Sequence, residues 1–224
     1  MNTMKKSGLV LIAIIMAILA ITSIVMARES EGPAPQVASN PDALAIALAH
    51  LDQNKASLGL TEADLAEARV TDTVVSRLTG VTTFYLVQQL GGIEVFNGLI
   101  NISILPNGEV LTVGNRFVSD LASSVSERTA SVGAEQAVQS AAAHLGLTLQ
   151  GSLQTLEQAS GSAQETLFSD GGISQNPIPT KLVYDTSGKA PRLAWNVIIY
   201  QLDSQHWWNV RVDAYTRELL SQND

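Results

Sequence analysis

The strongest acid–base and metal-binding groups in this chain are three histidines, His50, His144 and His206, and there is no cysteine. A zinc ion held on one helix face needs two histidines four residues apart, with a glutamate between them to act as base. No histidine here has a partner at that spacing, so each reads as a boundary residue and not a ligand. Without cysteine there is no thiol nucleophile and no thiolate metal site. No Gly-x-Ser-x-Gly elbow supports a hydrolase serine. Asp203 and Asp213 could divide acid and base work between them, but acids at turns and strand ends are ordinarily solvated turn formers. Gly91-Gly92 has no Lys-Ser/Thr after it and leads into a strand. A phosphate cradle depends on amides at a helix start, so this pair reads as a turn. The sequence therefore leads us to expect no catalytic residue, no metal site and no cofactor. Trp195, Trp207 and Trp208 are the remaining cluster. Adjacent tryptophans on a strand face opposite ways. One of Trp207 and Trp208 should enter the core, while the other either packs beneath the long loop or is a candidate partner-binding anchor.

Charge narrows the partners. The chain has 13 basic and 21 acidic side chains, a net charge of −8. Residues 8–27, "GLVLIAIIMAILAITSIVMA", carry no charge and follow Lys5 and Lys6. A basic start before an apolar run is the pattern of an export signal, with Val25 and Ala27 suiting a small-residue cut. The run is also long enough to span a bilayer, so a membrane anchor over residues 7–27 stays open beside a cleaved signal. Removing residues 1–27 leaves 11 basic against 21 acidic side chains, a net of −10. An acidic surface of this kind disfavours nucleic acid and anionic lipid, and suits solubility outside the cell.

The elements that would position any site follow from periodicity. Residues 28–40 read as a Pro-containing tether. Asn40, Pro41 and Asp42 then supply a cap, a first-turn proline and a first-turn acid, predicting a helix with Leu44, Ala47, Leu48 and Leu51 on its apolar face. Thr61 and Asp64 form a capping pair for a short helix. Four runs of period two, "ARVTDTVVSRL", "VTTFYLVQQL", "IEVFNGLINISIL" and "EVLTVGNRFV", are joined by short turns and predict an antiparallel meander. Gly98 inside the third run marks a bulge or a close backbone approach.

A second helix is expected from Gly133 to Leu145, with Ala137, Val138, Ala141, Ala142 and Leu145 inward and Gly146 as terminator. Residues 157–179 are rich in Ser, Gly, Gln and Pro and predict a long exposed loop. Four further strands follow, "TKLVYDT", "RLAWNVIIYQL", "HWWNVRVDA" and "RELLSQ". The expectation is an α+β chain of two similar units, residues 41–120 and 121–224, each a helix packed on an antiparallel meander. "NISILPNGEVLTVGN" and "NVRVDAYTRELLSQN" would be equivalent terminal hairpins, with Glu109 and Glu218 in matching places.

One stretch carries more than generic hairpin chemistry. In "FYLVQQLGGIEVFNGLINISILPNGEVLTVGNRFV", Gln88, Gly92, Ile93, Val95, Phe96, Asn97, Asn107, Gly108 and Val110 occur in order. This pattern resembles the FTP domain, the fungalysin/thermolysin propeptide module, with the match strongest over residues 63–118. The family often has proline where this chain has Glu94, a position that should face solvent at a strand edge. The second half is similar to a PepSY-type unit through "DAYTRE" at Asp213–Glu218, with Arg217 where the family usually has glycine. The resemblance implies a non-catalytic pro-region that assists folding of a secreted zinc metallopeptidase and inhibits it by protein contact. Its partner would be that catalytic domain, in cis or in trans, and the chain would be extracytoplasmic or membrane-anchored. A precursor of this kind would continue past "LLSQND" into its catalytic domain, so a truncated precursor and a free-standing regulator are both consistent with the text of the chain. A stand-alone envelope interaction module is the alternative.

Overall fold

The computed structural model describes residues 41–224. The expected leader, the tether and the Asn40 cap lie outside them.

The alanine-rich segment Pro41–Asn54 forms helix α1, closed where the Asn54 side-chain amide donates to the His50 carbonyl at 2.8 Å. Its inward face is Ala43, Ala47 and Leu51, with Leu44 and Ile46 half-buried. Leu48, expected inward, is 45 % exposed. Alanines at positions 43 and 47 let the helix backbone come close to the sheet, which rolls the larger Leu48 outward. Helix α2 (Glu62–Ala66) opens on the expected capping pair: Thr61 Oγ1 accepts from the Asp64 amide while the Asp64 carboxylate accepts from Thr61 N.

The four runs of period two become β1 (Arg69–Val75), β2 (Thr82–Leu90), β3 (Ile93–Ile104) and β4 (Val110–Asn115), each antiparallel to the next. A short helix α3 (Leu121–Ser124) and the longer α4 (Ala134–His144) follow. In α4 the side chains of Ala137, Val138, Ala141 and Ala142 are fully buried, and Gly146 leaves the helix at φ 71°. Left-handed backbone favours glycine there.

Residues 157–179 depart from the expected long loop. Hairpin β5 (Thr155–Gln158) and β6 (Thr166–Phe168) cross into this stretch, and β6 pairs with β7 (Ile178–Asp185). Phe168, Ile173 and Ile178 are buried. A few apolar anchors in a polar background give no periodic signal, yet pairing with an open strand edge orders the segment. Strands β8 (Arg192–Tyr200), β9 (Trp207–Asp213) and β10 (Leu219–Asn223) complete the fold.

The ten strands among the described residues belong to one sheet, running β1-β2-β3-β7-β8-β9-β10, with β4 on β3 and the β6-β5 hairpin on β7. The α+β architecture is dominated by antiparallel pairing. Among the described residues its one parallel contact joins β3 to β7, through Glu94↔Val183 and Val95↔Tyr184. Two apolar clusters lie against the sheet. One gathers Ala43, Ala47 and Leu51 of α1 over Phe84, Leu86, Ile100 and Ile102. The other gathers the α4 face over Leu182, Trp195, Val197 and Val210, and it takes in Ile93 and Val95 from β3. No helix among the described residues is long and apolar enough to cross a membrane.

Candidate functional site

The nine motif residues fall on β2, β3, the first residue of β4 and the two turns between them. Gly91 and Gly92 adopt φ 62° and 76° and make a two-residue turn between β2 and β3. Two consecutive positive φ values suit the strand twist and favour glycine. The turn does gather an anion, but the anion is the chain's own. Both oxygens of Glu67 accept from the amides of Gly91 and Gly92, each at 3.0 Å.

Beyond the turn the register breaks. Gln89 pairs with Glu94 and Val87 with Leu99, so Gln88 stands opposite the four residues Val95 to Gly98. Asn97 turns the strand at φ 60°, a conformation asparagine tolerates. At Gly98 a Cβ would sit 2.7 Å from the Val95 Cβ, which explains the glycine by close approach. Gln88, fully buried, closes the gap as an additional strand would. Its Oε1 accepts from Val118 N at 2.7 Å and its Nε2 donates to Val118 O at 2.8 Å. On the near side of this break β3 stays paired with β2 through Ile93 and Glu94 while its other edge meets β7, and Ile93 and Val95 enter the core beneath α4.

Glu94, expected to face solvent, lies between two cations. One carboxylate oxygen takes a short contact from Arg69 and the other lies 2.7 Å from the Lys181 ammonium. Burial pushes its pKa up, but the hydrogen bonds and charges of Lys181 and Arg69 outweigh this and hold it below the ordinary carboxylate range. Phe96 packs its ring under the Arg211 guanidinium, 4.1 Å from the ring centroid. Arg211 itself is 1 % exposed, and it donates to Ser221, Asn209 and Asn223 at 2.6–3.0 Å, with Asp185 at 3.7 Å. At the far end of β3, the Asn107 side chain accepts from Glu109 N at 3.1 Å. Gly108, at φ 88°, abuts Ile46 of α1, and Val110 packs against the α1 cluster.

The adjacent tryptophans face opposite ways, with Trp208 half-buried against the core and not within it. Trp208 turns inward, its ring parallel to His206 at 5.1 Å and its Nε1 donating to Gln201. Trp207 is 63 % exposed and stacks on Tyr200, the centroids 5.5 Å apart. Leu202, 58 % exposed, lies in the neighbouring turn. The histidines remain scattered. His50 lies in the last turns of α1, its carbonyl accepting from Asn54, while His144 Nε2 lies 3.2 Å from the Arg217 carbonyl and His206 Nδ1 lies 2.7 Å from Asp203. The hydrogen bond to Asp203 raises the His206 pKa.

Asp203 and Asp213 do not meet, since they stand at opposite ends of β9. The Asp203 carboxylate caps the β8–β9 turn through Gln205 and His206 amides. Asp213 is buried, takes Arg192 at 2.6 Å and accepts from the amides of Tyr215 and Thr216. Arg217, where the second-unit pattern has glycine, takes the left-handed φ of 65° that glycine would supply. Among the described residues no three His, Cys, Asp or Glu side chains are placed to hold a metal ion.

Several positions that matter here gave no sequence signal. Asp64 was legible as a cap, but its carboxylate also accepts from the amides of Asp120 and Leu121, each at 3.0 Å. Glu67 and Arg211 likewise act across large sequence separations, which no local pattern records.

Residues 66–117 match the family model described as the Fungalysin/Thermolysin Propeptide Motif, which covers α2's last residue and the whole meander, including Gln88 but ending one residue before its partner Val118. No curated protein matches the chain.

Proposed function

We propose that this chain acts as the pro-region type of module found with fungalysin- and thermolysin-like zinc metallopeptidases, assisting the folding of a catalytic domain and inhibiting it by protein contact. The observation that carries the reading is the propeptide motif over residues 66–117. The motif residues are spent on turns, a bulge and core packing, which fits a module that works through its surface. The exposed Trp207, on its Tyr200 support, is the contact we assign to the partner. Rigid exposed aromatics are the commonest anchors of protein interfaces.

In this reading residues 41–120 are the FTP-type unit and residues 121–224 a PepSY-type unit. The order of helix and terminal hairpin in each, and the glycine-like φ of Arg217, support the pairing. The module works outside the cytoplasm, in cis or in trans with its peptidase. The uncharged run at residues 8–27 also favours a second reading, a membrane-anchored interaction module that meets no peptidase. N-terminal sequencing of the exported chain distinguishes a cut after Ala27 from a retained anchor.

The direct test adds the purified chain to a fungalysin-type catalytic domain and follows peptide hydrolysis and recovery after refolding. Slowed hydrolysis and improved recovery are expected, and no effect at micromolar concentration would sink the reading. Trp207→Ala should weaken inhibition about tenfold. Being exposed, the substitution should leave stability within about 0.5 kcal/mol.

A further inference from the structure

Where β5 and β6 run beside β7 and β8, they enclose an open cleft of about 470 Å³, within the range of small-ligand pockets. Its apolar surface includes Leu167, Pro179 and Ile198, and Glu157 and Glu165 stand exposed at its rim. Asn196 shares this side of the sheet. It pairs in register with Lys181, whereas its neighbours Trp195 and Val197 belong to the core beneath α4. Asn196 is 6 % exposed, and its Oδ1 is buried with no hydrogen-bond partner. An unpartnered buried acceptor costs about 1–3 kcal/mol, so Asn196 Oδ1 calls for a donor from a ligand or an ordered water. The one cation lining the cleft, Lys181, is already joined to Glu94 at 2.7 Å. Of the other polar side chains in the lining, Glu157 and Glu165 are carboxylates with no cation of their own, whereas Gln158, Thr166 and Thr180 can donate as well as accept, and Thr180 Oγ1 is also buried without a partner.

From this combination we propose that the cleft binds a basic side chain, an arginine or lysine presented by a peptide segment of a partner. The aliphatic stem lies along Leu167, Pro179 and Ile198. The charged head donates to Asn196 Oδ1 and is balanced by Glu157 and Glu165. Arginine is favoured over lysine, because its planar fork can reach an amide oxygen and a carboxylate together. The net charge of −8 draws the same kind of segment toward the surface. The inference is independent of the peptidase reading, since it concerns the chemistry of the bound side chain and not the partner's identity.

The probe is acetyl-Gly-Gly-Arg-Gly-Gly-amide, titrated into the full chain and followed by amide chemical shifts. A peptide with citrulline in place of arginine is the uncharged control. Shifts confined to residues around Asn196, Ile198 and Leu167, with at least tenfold weaker binding of the citrulline peptide, are expected. Asn196→Leu should reduce arginine-peptide binding at least tenfold and leave the melting temperature unchanged or higher, because it removes an unpaired acceptor. Glu157→Gln with Glu165→Gln, both at exposed positions, should weaken binding and add a salt dependence test on a folded protein. Equal binding of the two peptides, retained binding by the double variant, or no binding at millimolar peptide overturns the proposal. A lowered melting temperature for Asn196→Leu overturns it too, by showing that the amide already has its partner.

Discussion

The Asp64 carboxylate ties together three separate backbone positions. It accepts from Thr61 N and Thr61 Oγ1, at 2.9 and 2.8 Å, and from the Asp120 and Leu121 amides. Burial alone would raise its pKa, but these four donors outweigh it and hold the value below the ordinary 3.8. A depressed carboxylate pKa stabilises the folded state above the unfolded-state value, and the contribution is lost as pH falls through the folded-state value. Asp64→Asn should therefore cost about 2–3 kcal/mol at neutral pH, because an amide puts its own N–H groups against backbone donors. The difference from the parent should shrink as pH falls below about 4. Urea melts of both proteins across that range check this, and a pH-independent difference would show that shape and not charge is at stake.

At the scale of elements, β3 behaves as two strands joined by a bulge. Its first residues pair with β7 and its last residues with β4, and Val95 to Gly98 form the joint. Gly98→Ala places a Cβ against the core side chain of Val95, 2.7 Å away, and should destabilise by about 1–3 kcal/mol. Thermal unfolding measures it, and a neutral substitution would mean that the joint is loose. Much at this scale was readable in the sequence. Alternation gave the strands of the meander and β7 to β10, Thr61 with Asp64 gave the cap of α2, and Gly146 gave the end of α4. Gly98 itself announced the joint. The β5–β6 hairpin was hidden because its apolar residues are too few to set a period. The Leu48 side of α1 was misplaced because alanines carry little hydrophobic signal while deciding how closely a helix approaches. The site was less readable than the fold. Exposure of one tryptophan followed from alternation, whereas the unpaired Asn196 amide arises from what β5 and β6 leave uncovered.

For the molecule as a whole, the question is whether the two clusters unfold together. Among the links that cross between the halves are the β3–β7 pairing, the Glu94–Lys181 ion pair, the Leu121 amide on Asp64, Phe96 under Arg211, and Ile93 with Val95 in the α4 core. All three tryptophans, Trp195, Trp207 and Trp208, lie in the second half, so their fluorescence reports that half while far-ultraviolet dichroism reports both. With these links intact, the two signals should give coincident urea transitions. Separate midpoints would show that the halves unfold independently.

The loan of Ile93 and Val95 to the α4 core also fixes where the molecule can be divided. A cut between residues 104 and 121 takes those side chains away with the first half. It strips two apolar residues from the core of one fragment and leaves the other with the β7-facing edge of β3 unpaired and greasy. Such an edge is a template for promiscuous strand pairing. The boundary drawn by sequence similarity is thus not a seam along which the protein can be parted cleanly.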